Sequence, residues 1–387
     1  MQQFVSGGKM DYKKHNEENA KLWEDYRNRT NARVPVTIAF DEQFHLHRLG
    51  RTFRQYYGDV RTQVEIQLDG QKWVRENVLQ DAEMGIPQEW NISPPCWMGE
   101  NEFFGADIVV QENDYSWGMP LELSKAELLK KLQGIDVKER VQAWTPFRHY
   151  TEMTELVKDM EFCGRPVKTI APLLGTHGIF TKAAEIRGVT QICADLYDDP
   201  AFVKELLAVI TELTMQRIRI MHELAGTGHK FPQEGGWGMA DDSLTLISAS
   251  QYKEFVLPFH KKIYSGMGGE KNRSMHLCGH VQHLFNTLYR EMGIRIFNGP
   301  GVQIDLGKMA EDTGADIEIQ GDIGYSTMRE SHPEIERVLD KMLGRDLKDR
   351  VKLMLYAFAV AGTTPDNMRF FYEKAKEIGG IFRVKES

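Results

Sequence analysis

Beyond about residue 160 the chain alternates short apolar, β-branched runs with stretches whose apolar residues recur at helical spacing. The strand-like runs are VKTIAPLLG (167–175), HKFPQEGG (229–236), RSMHLCG (273–279), IRIFNGP (294–300), ADIEIQGD (315–322) and KLMLYAFAVA (352–361). The strongest helix covers 199–226. Phe202, Leu206, Ile210, Leu213 and Leu224 lie close to helical spacing, Asp199 caps the start and Gly226 ends it. Before residue 160, VPVTIAF (34–40) and GADIVVQ (105–111) read as strands and 15–28 as a polar opening helix. The rest of 41–160 reads as irregular, rich in Trp, Pro and Gly, with one good helix in SKAELLKKLQG. Alternating strands and helices predict a parallel sheet. Eight such runs predict an α/β fold, a (β/α)8 TIM barrel whose long N-terminal insertion, 41–160, covers the barrel mouth. A doubly wound open sheet would carry a Gly-rich phosphate loop after its first strand, and AFDEQFHLH is not one.

Length and composition fit this picture. The chain has 387 residues, 41% hydrophobic and 27% charged, room for one large barrel domain at 34–387 preceded by a polar arm at 1–33. Residues 1–9 read as a frayed end or an expression scar. A net charge of -8, with Lys and Arg scattered among acids, argues against nucleic acid or a membrane surface as partner. Cys96, Cys163, Cys193 and Cys278 show no CxxC spacing, which favours free thiols and a cytoplasmic location.

In a barrel, chemistry belongs at the C-terminal strand ends. His276 and Cys278 lie two apart on a predicted strand, so imidazole and thiol face the same way. Both suit Zn²⁺. A catalytic zinc site needs a third protein ligand, and Glu234, Asp241, Asp242 and Asp322 are available, with Glu234 the first choice. Asp241 and Asp242 are also candidate catalytic acids. The same pattern fits a buried thiol beside a hydrogen-bonded histidine. It also fits a Cys–His nucleophile pair, although no third orienting residue accompanies one. His280 and His283 fall on the following helix. Asp305 and the TPxN turn ending at Asn367 read as caps.

HLCGHVQHLFNTLYREMGI resembles a segment of the uroporphyrinogen decarboxylase superfamily. So do PLLGTHGIFTKAAEIRGV, DDSLTLISASQYKEFVLPFHKKI, QIDLGKMAEDTGADIEIQGDIG and TTPDNMRFFYEKAKEIG, in the family's order from about 160 to 380. The resemblance implies a (β/α)8 barrel and two chemistries. The decarboxylase branch carries an Arg-rich motif after its first strand to hold substrate carboxylates; Arg48 and Arg51 lie near that place without the pattern. The methyltransferase branch holds zinc by His-x-Cys and a second Cys after the last strand. His276 and Cys278 match the first half; Phe358 stands near the second, and no cysteine follows Cys278. The resemblance therefore leans to the corrinoid-dependent branch. It implies zinc-assisted methyl transfer between a corrinoid protein carrying methylcobalamin and a small thiol, amine or methoxylated aromatic. Trp90, Trp97, Phe103, Phe104, Tyr115 and Trp117 in the insertion would then frame an apolar substrate or pack a lid. The rival readings are a cofactor-free decarboxylase and a non-catalytic binding barrel. The oligomeric state is left open.

Overall fold

The computed structural model describes residues 11–95, 99–172 and 176–381, apart from the side chains at 345 and 346. Its barrel strands are β1 (Val36–Phe40), β2 (Trp90–Ile92), β3 (Arg165–Thr169), β4 (Gly238–Ala240), β5 (Ser274–His276), β6 (Ile296–Gly301), β7 (Glu318–Asp322) and β8 (Lys352–Ala359). β4 to β8 and then β1 form a six-stranded sheet in which every pairing is parallel. β2 pairs with β3 in parallel, and His177, beyond the end of β3, bridges to Ala240 of β4. With β2 and β3 the strands follow one another round a (β/α)8 barrel.

Beside β1 a side-chain clasp takes over from ladder bonds. The Asp81 carboxylate accepts from Val36 N–H at 2.8 Å and Gln80 Oε1 from Ile38 N–H at 2.6 Å. Arg33 grips Asp81 through two bonds of 2.6 Å. The β1 donors are thereby satisfied, as buried backbone requires.

The predicted 199–226 helix is observed as Pro200–Leu224, with the Asp199 carboxylate accepting from Phe202 N–H at 3.1 Å. Phe202, Leu206, Ile210 and Leu213 are buried as their spacing implied. They pack the helix against Ile179–Arg187, Val137–Ala143 and Leu257–Met267. Each such side chain contributes about 1.5–3 kcal/mol on burial.

Three expectations need correction. HKFPQEGG is turn and coil; the strand is the short Gly238–Ala240 that follows it. GADIVVQ contributes only Ile108–Val109, which pairs antiparallel with Trp117–Gly118 outside the barrel. The barrel place expected there belongs to Trp90–Ile92. Finally, 41–160 is not irregular: helices such as Val60–Asn77 and Thr145–Val157 flank β2 within it. Short strands without β-branched runs leave little periodic signal, so pairing rather than pattern decides them. Residues 1–10, Cys96, Trp97 and 173–175, which some of these expectations included, lie outside the described residues.

Candidate metal centre

The C-terminal rim of the barrel gathers Asp242, His276 and Cys278. One ligand atom from each lies within 4.8 Å of the others. His276 ends β5, Cys278 follows two residues later, and Asp242 comes just after β4, the neighbour of β5. Asp242 Oδ1 accepts from Cys278 N–H at 2.9 Å and stands 3.8 Å from His276 Nε2.

Sheet register fixes the imidazole. His276 pairs with Asn298, and Asn298 with Gln320. His276 Nδ1 meets Asn298 Oδ1 at 2.5 Å, Asn298 Nδ2 donates to Gln320 Oε1 at 3.0 Å, and Gln320 Nε2 donates to Glu318 Oε1 at 2.8 Å. Glu318 is paired with Lys352 at 2.6 Å. An ionised carboxylate can only accept, so it sets the direction of every bond in the row. Asn298 presents its oxygen, His276 Nδ1 carries the proton, and Nε2 turns a lone pair toward Asp242 and Cys278. This is how a metal-ligating histidine is oriented by a second partner. Gly299, at φ 90°, makes room: a Cβ there would lie 2.7 Å from His276 Cε1. The same glycine falls in a bulge where β6 and β7 slip register between Gln320 and Asp322.

The acids around the centre differ sharply. Asp322, at the end of β7, is buried, and burial raises its pKa against the opposing pull of the Gly324 N–H and His276. Cys278 is exposed at its outer edge. Even so, the surrounding protein, then the charges of Asp242 and Asp322, push its thiol up to about 12. A thiol held protonated by burial and by two carboxylates is an arrangement a dication would reverse. The N, O and S donors at one rim, with the imidazole already aimed, fit a three-ligand zinc site with an open position.

Asp241 points elsewhere. It is fully buried and accepts from Thr181 N–H at 2.8 Å, Thr181 Oγ1 at 2.7 Å and Phe180 N–H at 3.3 Å, at the start of Ile179–Arg187. His260 Nε2 stands 2.8 Å from its other edge. The carboxylate presses so close to Gly178 that a Cβ there would be 2.0 Å from it. Its place is that of a buried helix cap, not a group at the mouth. Glu234 is exposed in the turn before β4, at the opposite end of that strand from Asp241 and Asp242, and is not in the cluster. The strand starts later than the pattern implied, which carries Glu234 to the wrong rim. His283 Nε2 bonds Ile247 O at 2.8 Å. Asp305 caps a helix through Lys308 N–H at 2.9 Å, and Asn367 Nδ2 closes a loop on Met328 O at 3.0 Å.

Below the centre lies a cavity of about 600 Å³ lined by Glu100, Thr176, His177, Ser274, Asn298 and Gln320, among others. Glu100 is buried and accepts from Arg217 Nη2 at 2.8 Å and Thr176 Oγ1 at 2.7 Å, with Lys182 Nζ at 3.5 Å. Burial alone would raise its pKa; Arg217, His177 and Lys182 overcome that and hold the carboxyl well below the usual range. A second cavity of about 970 Å³ opens above the ends of β1 and β8. Phe358 lines it, its ring stacked on Tyr325 with centroids 4.5 Å apart and planes 9° apart. Phe103, Phe104 and Trp90 are core residues and Trp117 is 47% exposed, while Tyr115 and Tyr56 of the insertion line this cavity. Arg48 is committed to Asp69 and lies over Trp73 at 5.3 Å, away from any carboxylate-binding role.

The fold and the rim define a family. The uroporphyrinogen decarboxylase (URO-D) model matches residues 18–378, and the chain belongs to that family. A uroporphyrinogen decarboxylase from Geobacter metallireducens is 25% identical over 104 residues, 26% of this chain and 30% of that enzyme's length. Among solved structures, a methyltransferase from Methanosarcina mazei aligns over 93% of this chain and 98% of its own. The TM-score is 0.62 at 14% identity, which is a likeness of fold. Among the described residues no helix is long and apolar enough to cross a membrane.

Proposed function

We propose that the chain is a zinc-assisted methyltransferase that works with a separate corrinoid-carrying protein. The observation that carries this reading is the Asp242, His276 and Cys278 cluster at the rim where barrel enzymes place their chemistry. Zinc bound there would supply Lewis acidity toward the heteroatom of a thiol, amine or ether substrate. The chain's own residues do the rest. His276 offers Nε2 because Asn298 holds the proton on Nδ1. Asp242 replaces the second family cysteine as the third donor, since Phe358 stands in that position. Cys278 contributes the soft ligand. Asp322 keeps a carboxyl group facing the centre. The fold's methyltransferase likeness and the membership of the URO-D family support the class; the partner, the methylcobalamin it carries and the substrate belong to the proposal.

Decarboxylation of a polycarboxylate is the weaker reading. Such a substrate needs fixed cations. Of the arginines near the mouth, Arg48 is paired with Asp69 and Arg75 with Glu83, so neither offers a free guanidinium. The test is metal analysis of purified protein, followed by methyl-transfer assays with a corrinoid protein. About one zinc per chain, lost in both His276→Ala and Cys278→Ala, is expected. Zinc retained by both variants, or carbon dioxide released from uroporphyrinogen, would overturn the assignment.

A further inference from the structure

The large mouth cavity combines features that select for charge. Its wall carries Phe40, Tyr56, Tyr115, Tyr325 and Phe358, and its floor carries Asp41 and Glu42 from the start of the helix after β1. Aromatic faces carry negative potential and attract cations, more strongly when water is excluded. Asp41 caps Phe44 N–H at 3.1 Å and is hydrogen-bonded by Tyr115. Neither Asp41 nor Glu42 has a lysine or arginine partner among the described residues; Arg75, which also lines the cavity, is paired there with Glu83 at 3.1 Å. Burial raises the pKa of both, the expected result for carboxylates that lack a counter-charge. Two further observations point to a ligand. His45 Nδ1 on the cavity wall is buried with no hydrogen-bond partner, and burial, with Arg48, lowers its pKa to about 4. The imidazole is therefore neutral and supplies no positive charge of its own. Tyr325, half exposed at the edge, lines the cavity and stacks on Phe358, and burial, then the charges of Asp41 and Asp322, raise its pKa, so it lies near both the cavity acids and the acid at the end of β7.

We propose that this cavity binds an organic cation, a methylated or quaternary ammonium compound, with its charge between the Tyr325–Phe358 stack and the Asp41–Glu42 pair. A neutral substrate would leave the two carboxylates without a counter-charge in a low-dielectric wall, and an anionic one would add repulsion. The inference deepens the proposed function by naming its substrate class. Its test needs neither zinc nor a corrinoid, so the two readings can fail separately.

The probes are choline and 3,3-dimethylbutan-1-ol, which has the same shape with carbon in place of the charged nitrogen, and benzoate as the anion. Binding to the full chain is measured by calorimetry. Choline should bind roughly tenfold or more tightly than the alcohol, on the scale of a desolvated cation–aromatic contact, and benzoate should bind least. Glu42→Gln should weaken choline about tenfold and leave the alcohol unchanged. Tyr325→Leu, at an exposed site that tolerates change, should weaken choline as well and serves if Glu42→Gln misfolds. Equal affinity for choline and the alcohol, tighter binding of benzoate, or no choline binding at all overturns the proposal.

Discussion

At the residue scale, the centre is an imidazole whose tautomer is assigned by a neighbour and a thiol whose proton is retained by burial and two carboxylates. Asn298→Ala removes the acceptor at Nδ1. It should lower zinc affinity about 10–100-fold, measured by competition with a chromophoric chelator, while Glu234→Gln changes nothing. In the metal-free protein, Cys278 at about 12 should hold on the order of a thousandfold less thiolate at pH 8 than an unperturbed thiol. Alkylation at pH 8, followed by mass spectrometry, should find Cys278 among the slowest sites; rapid labelling would contradict its environment. His276 and Cys278 could be read from the sequence because two donors two residues apart at a strand end, the second just past it, make a local pattern. Asn298, Gln320 and Glu318 left a weaker trace, the polar alternation of IEIQGD and a lone Asn in IRIFNGP. Which of them lie side by side depends on register between strands, and no local pattern records that.

At the element scale, the helix Ile179–Arg187 begins on Asp241, and its start is fixed from a different strand through a buried acid that also meets His260. Asp241→Ala strips the cap and leaves His260 without its partner. A cap is worth about 1 kcal/mol, and leaving a buried hydrogen-bonding group without its partner costs about 1–3 kcal/mol. Chemical denaturation should therefore show a loss of several kcal/mol, with zinc content per folded chain unchanged. Loss of zinc at full stability would instead place Asp241 in the chemistry. The adjacent Asp241 and Asp242 look interchangeable in sequence. The turn after a three-residue strand separates them, sending one into the core and the other to the rim.

At the scale of the whole molecule, two charge systems, one buried and one half-buried, tie the insertion and the N-terminal arm to the barrel. Glu100, from the insertion, is held by Arg217 and Lys182 on helices that follow β3. Arg217→Leu should cost about 3–5 kcal/mol by leaving buried charge unpaired. Because the Glu100 carboxyl is held below its ordinary value, its stabilisation is present above about pH 4.3 and declines as the pH falls through the folded-state value. The melting-temperature gap between the native chain and Glu100→Gln should narrow below that point. The barrel was legible because its last three strands run five to eight residues; the docking of 41–160 was not, since it rests on single buried ions rather than on periodicity. The second system is the row that starts at His276 and ends at Lys352. That lysine lies over the Tyr26 ring of the opening helix, Tyr12–Arg27, at 4.5 Å. The grip on one ring nitrogen at the top of the barrel is thus anchored at its floor. A change to the first helix, remote from any substrate, should be felt as a looser histidine at the opposite end of the lumen.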